Sequence, residues 1–194
     1  MEKTVQSTLF CRTWKTKTIA AVLAVIASVA LPQIFHLLGM VSNMGSTLGE
    51  TFLPMHIAIF LVGYFAGPWA GLAAGLVSPA LSFALTSAAG SAMPALAMLP
   101  YMIIELGVYG LVTGLFARFG KVKIPTIATL FIAQVAGRAV RALAIVIGVY
   151  AFGSPMNVAV IWNSVVAGLP GLILQWVLIP LLVYWVAQKT KRDE

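Results

Sequence analysis

Charge is what this sequence has least of. Only 9% of its 194 residues are charged and 61% are apolar, whereas a soluble domain carries about 25% charged residues. A soluble globular enzyme is excluded by that balance. Cysteine is almost missing as well: Cys11 stands alone, so there is no intrachain disulfide and no cysteine cluster for a metal. His-Glu-x-x-His, Gly-x-Ser-x-Gly and a glycine-rich phosphate loop are also lacking, which leaves metal, nucleophilic and nucleotide chemistry without support. No catalytic residue, metal site or cofactor is expected, and the chain is not read as an enzyme.

What is present is apolar sequence in membrane-length runs. Each crossing takes ~20 residues, so the length suits an all-α bundle of six transmembrane helices with short connections and no space for a soluble ATP-binding domain. The runs lie at about 17–38, 52–65, 69–85, 95–116, 124–152 and 158–187, giving a single transmembrane domain over 1–194 with residues 17–187 embedded. A polar, glycine-rich loop is expected over 39–51, and Gly67-Pro68 marks a tight turn. The second run is short for an upright crossing, Pro32 is expected to kink the first helix, and Pro170 and Pro180 are expected to interrupt the last.

The net charge of +7 reports topology rather than a nucleic-acid partner. Lys3, Arg12, Lys15 and Lys17 precede the first run. Arg118, Lys121 and Lys123 separate the fourth from the fifth, and Lys189, Lys191 and Arg192 follow the last. With six crossings and both termini cytoplasmic, all three clusters fall on the inner side of the cell membrane, as the positive-inside rule requires.

The two remaining basic residues, Arg138 and Arg141, sit inside an apolar run. They are three residues apart, on one face of a helix. A guanidinium at membrane depth costs at least ~2.5–3.5 kcal/mol, and such residues face a bundle interior or wet cavity and have a partner. The candidate partner is Glu105. At 1.5 Å per residue, Arg138 lies about 21 Å and Arg141 about 25 Å from Ile124, while Glu105 lies about 15 Å from Ala95 on a helix running the other way. Either arginine is a candidate for the pair, with Arg141 the more suitable to meet an anionic ligand group. His36, His56, Trp162 and Asn163 fall at the same outer level, with Tyr101, Met55, Met98 and Met102 as apolar walls. This pattern predicts a binding site open to the outside. An ion pair that only fixes helix register is the competing reading, and Gln134 and Gln175 are expected to bond between helices.

Thr16, Ala20, Ala24 and Ser28 place a small residue at every fourth position of the first helix. Such a stripe admits another helix at close range, either from this chain or from a separate membrane partner.

Three segments carry a family resemblance. They are Ala20-x-x-x-Ala24, the stretch from Leu53-Pro54-Met55-His56-Ile57 to Gly67-Pro68-Trp69-Ala70-Gly71, and Ile104-Glu105-Leu106-Gly107-Val108-Tyr109-Gly110. Together they resemble the S components, the substrate-binding membrane subunits, of energy-coupling factor (ECF) vitamin transporters. The resemblance covers about 18–186. It implies a bacterial membrane protein that captures a vitamin or vitamin precursor outside the cell. It also implies a transmembrane coupling subunit, docked at Ala20, Ala24 and Ser28, and two cytoplasmic ATPases on separate chains. Met55-His56-Ile57 and Ile104-Glu105-Leu106 resemble the branch that takes cobalamin precursors such as α-ribazole. Pantothenate, whose carboxylate suits Arg141, is the next candidate. A stand-alone proton-coupled transporter using Glu105 is the alternative from another class.

Overall fold

Five stretches are both helical and apolar over a membrane's width: Trp14–Leu38, Pro68–Ala88, Leu99–Ala117, Thr126–Phe152 and Leu169–Lys189. The computed structural model describes residues 13–43, 47–88, 90, 92–119 and 124–192, and among them every regular element is a helix. In chain order these are α1 (Trp14–Val41), α2 (Thr47–Phe52), α3 (Pro54–Ala66), α4 (Pro68–Ala88), α5 (Leu99–Phe119), α6 (Thr126–Phe152), α7 (Val160–Ala167) and α8 (Leu169–Arg192). The chain is an α-helical, multi-pass membrane protein.

Two departures from the sequence reading matter for the site. The polar loop expected before the second run contains a helical turn, α2, whose Phe52 ring lies 5.7 Å from that of Phe35 on α1. The last run is divided at Gly168, two residues before Pro170, so that α7 is separate from α8; Pro180 and Pro32 lie within continuous helices. Proline at the second position of α8 costs no helical hydrogen bond, because the first N–H groups of a helix have no partner within it.

The order of packing follows residue size. Helix α3 is only 13 residues long, about 20 Å, and most of its residues are buried, including Ile59, Phe60 and Val62. It lies against α1, α4 and α5. Gly67 has φ 101°, a backbone that L side chains resist, and it turns the chain directly from α3 into Pro68 at the start of α4. From there α4 descends against α5 with almost no side chain between the backbones. A Cβ on Gly63 would sit 2.6 Å from the carbonyl oxygen of Gly110, one on Gly71 would sit 2.8 Å from Cα of Gly63, and one on Gly75 would strike the backbone of Leu106. Glycines four apart let membrane helices approach this closely and gain dispersion contacts that lipid cannot supply.

On the outside, large apolar side chains face outward along α1, α6 and α8, among them Leu23, Ile26, Phe131, Leu143, Ile173 and Leu181. Bare apolar flanks are what lipid-facing helices present.

Candidate functional site

The polar residues gather where α5, α6 and α3 meet. Glu105, in the second turn of α5, is 1% exposed. Its Oε2 accepts a hydrogen bond from Nη1 of Arg141 at 3.0 Å, and its Oε1 accepts one from the Tyr109 hydroxyl at 2.7 Å. Arg138 brings Nε to 3.4 Å from the same Oε1, close enough for ion pairing but outside hydrogen-bond geometry. Its Nη1 donates instead to the backbone carbonyl of Ser164 on α7 at 3.2 Å. Thus one carboxylate holds two guanidiniums, where the sequence left open which arginine would pair. Arg141, expected to be the freer one, makes the shorter bond.

Helix geometry explains the assembly. Glu105 and Tyr109 are four apart on α5 and share a face. Gln134, Arg138 and Arg141 follow one another on a single face of α6, which turns inward along Thr129, Ala133, Gly137 and Ile145. Gly137 makes the fit possible, because a Cβ there would strike the Tyr109 ring; Gly148 likewise leaves room for the hydroxyl of Tyr101. The Tyr109 ring is wedged 5.3 Å from His56 and 5.0 Å from Phe60, centroid to centroid.

His56, in the first turn of α3, is 4% exposed, and neither ring nitrogen has a hydrogen-bond partner. The Nε groups of Arg138 and Arg141 are also buried without one. Buried polar groups are nearly always bonded, so four nitrogens without a hydrogen bond around one carboxylate mark the place as unfinished. Below it, Gln134 donates to Oε1 of Gln175 at 2.9 Å and accepts from Nε1 of Trp176 at 2.7 Å. Gln175 reaches the carbonyl of Leu53 at 3.4 Å. Leu53, in a left-handed conformation with φ 50°, joins α2 to α3, and this network ties that junction to α6 and α8.

The structure therefore brings Glu105, Arg138, Arg141 and His56 together. Tyr101 and Met55 are buried, at 8% and 5% exposure, Tyr101 against α6 and Met55 in the apolar core. Met102 packs against that core and Met98 lies just before α5. Nδ1 of His36 is buried without a partner. Trp162 and Asn163 are exposed on α7. Ala24 and Ser28 turn into the bundle, where Ser28 donates to the Ser78 hydroxyl at 2.6 Å; Ala20 is half-buried. Tyr109 and the Ser164 carbonyl were not singled out from the sequence. The i, i+4 spacing from Glu105 was the available signal for Tyr109, and a backbone carbonyl leaves none.

Neither a curated protein nor a solved structure matches the chain significantly. The family model described as "ECF transporter, substrate-specific component" matches residues 15–183, which take in every helix that builds the cluster. The chain belongs to the substrate-specific components of ECF transporters, a family of transport subunits and not of enzymes.

Proposed function

We propose that this chain is the substrate-capturing subunit of an ATP-driven importer, and that the cluster of Glu105, Arg138, Arg141 and His56 is its binding site. The observation that carries the reading is the group of buried nitrogens on His56, Arg138 and Arg141 that make no hydrogen bond, inside a chain whose family selects substrates. A site that only locked helices together would satisfy its own polar atoms.

In this reading the chain crosses the cell membrane of a bacterium six times, α3 being the short crossing, and both termini are cytoplasmic. Ten of the twelve basic residues then lie inside. The ends of α1, α4 and α6 and the start of α5 face outward, and the cluster sits in the outer half, where a nutrient arrives. The cargo is a vitamin or precursor, with α-ribazole and pantothenate as the candidates. Release is driven through a transmembrane coupling subunit and two cytoplasmic ATPases.

Docking of the coupling subunit at Ala20, Ala24 and Ser28 is part of the proposal, with one condition. Ala24 and Ser28 are covered by the chain's own helices, so a partner that grips them has to enter beside α3 and α4. Ala24→Leu is expected to impair uptake while leaving substrate binding in place. Equal loss of both assigns the stripe to internal packing.

The test of the function is uptake into liposomes. Import is expected only when the coupling subunit, the ATPases and internal ATP accompany this chain. Import by the chain alone under a pH gradient overturns the proposal in favour of proton coupling through Glu105.

A further inference from the structure

The charges in the cluster do not balance. Two guanidiniums face one carboxylate, and that carboxylate is fully used: Oε1 takes the Tyr109 hydroxyl and faces Arg138, and Oε2 takes Arg141. Of the other acids, Glu2, Asp193, Glu194 and the side chain of Glu50 lie outside the described residues. Among the described residues no second carboxylate meets either arginine, and the described groups of the cluster carry one excess positive charge. An uncompensated charge away from water is costly.

Three further observations show where compensation fits. Nε of Arg141, on a residue 8% exposed, has no acceptor, and neither has Nε of Arg138. The remaining bond of Arg138 goes to a neutral carbonyl, that of Ser164, which an anion outcompetes because charge-assisted hydrogen bonds are about twice as strong. Between α6 and α7, the gap lined by Arg138, Arg141, Ile145, Ile161 and Ser164 is now about the size of one water molecule. Helix α7 has no fully buried residue, so its displacement gives up little apolar contact.

We infer that the substrate presents a single carboxylate to the guanidiniums of Arg138 and Arg141, entering between α6 and α7 in place of the Ser164 carbonyl. One negative charge neutralises the site, whereas a phosphate dianion would leave it charged in the opposite sense. The flat guanidinium fork matches a carboxylate with two parallel bonds. His56, whose two ring nitrogens offer one donor and one acceptor when neutral, serves an uncharged hydroxyl or amide on the same ligand. Glu105 acts as the fixed counter-ion that aims the arginines. This inference rests on the binding-subunit reading above and narrows its cargo to carboxylic acids.

Equilibrium dialysis of the detergent-purified full chain against matched compounds tests it. The pairs are pantothenate and pantothenol, nicotinate and nicotinamide, and biotin and biotinamide, with α-ribazole and pyridoxal phosphate added. The expected result is that one acid binds about tenfold or more tightly than its neutral partner. Arg138→Gln, which spares the Arg141–Glu105 pair, should remove that preference, and Arg138→Lys should keep part of it. Binding of α-ribazole or a neutral partner in preference to every acid overturns the carboxylate inference and leaves the binding subunit standing, as does an acid preference that survives Arg138→Gln. Preference for pyridoxal phosphate over every carboxylate also overturns it. No binding by any compound, from protein shown to be folded, sinks the inference and the function together.

Discussion

The seam between α4 and α5 and the cluster between α5 and α6 are built on the same helix and solve opposite problems. One face of α5, through Gly107, Gly110 and Gly114, meets backbone and side chains of α4 and its leading turn with no space to spare. The other, through Glu105 and Tyr109, meets two arginines whose Nε groups are left without acceptors. Close packing of small residues asks nothing further of a ligand or of water. A cluster with an excess charge and unpartnered donors does. In the proposed function the contrast separates scaffold from site: the glycine seam of α4 and α5 is scaffold, and the cluster that α5 shares with α6 is where a ligand would be received.

Substitutions should break this contrast in a definite order. The largest effect is expected from Glu105→Ala, which leaves two arginines without a counter-ion and should lower stability by ~3–5 kcal/mol, read as a fall in Tm by fluorescence-detected unfolding. Gly110→Ala should follow at ~1–3 kcal/mol, since its methyl would collide with Gly71 and only a backbone shift relieves it. Its effect should fall on stability alone and leave ligand affinity unchanged, which dialysis checks. Tyr109→Phe removes one hydrogen bond to a buried carboxylate and should cost about 1–2 kcal/mol. It should also weaken ligand binding, because the carboxylate it steadies aims the arginines. Smallest is Gln134→Leu, at about 0.6–1 kcal/mol, through loss of the bonds to Gln175 and Trp176.

Much of this was legible in the sequence for reasons that can be named. Apolar run length gave the five long helices because a membrane sets their length, and Gly67-Pro68 marked its turn by its backbone requirement. The pairing of Glu105 with arginine followed from the cost of leaving a charge alone at depth. The seam was also written there, in the four-residue spacing of Gly67, Gly71 and Gly75 and of Gly110 and Gly114, a spacing that the sequence reading does not use. Two features lay beyond sequence pattern. Burial of Ala24 and Ser28 depends on which neighbour reaches the small-residue stripe first, and a stripe alone does not name that neighbour. Exposure of Trp162 and Asn163 on α7 depends on backbone direction rather than on polarity.

The central claim is that ligand binds the arginine side of α5 and not the glycine side. A ligand that binds only the folded state raises stability, by about 2.7 kcal/mol at one hundred times its Kd. The decisive measurement is the thermal shift produced by a vitamin panel on three forms of the purified chain: wild type, Gly110→Ala and Arg138→Gln. The account predicts that one compound raises Tm in wild type and by the same amount in Gly110→Ala, despite its lower starting Tm, and produces no shift in Arg138→Gln. A shift that persists in Arg138→Gln and disappears in Gly110→Ala would contradict the account and move the site to the other face of α5.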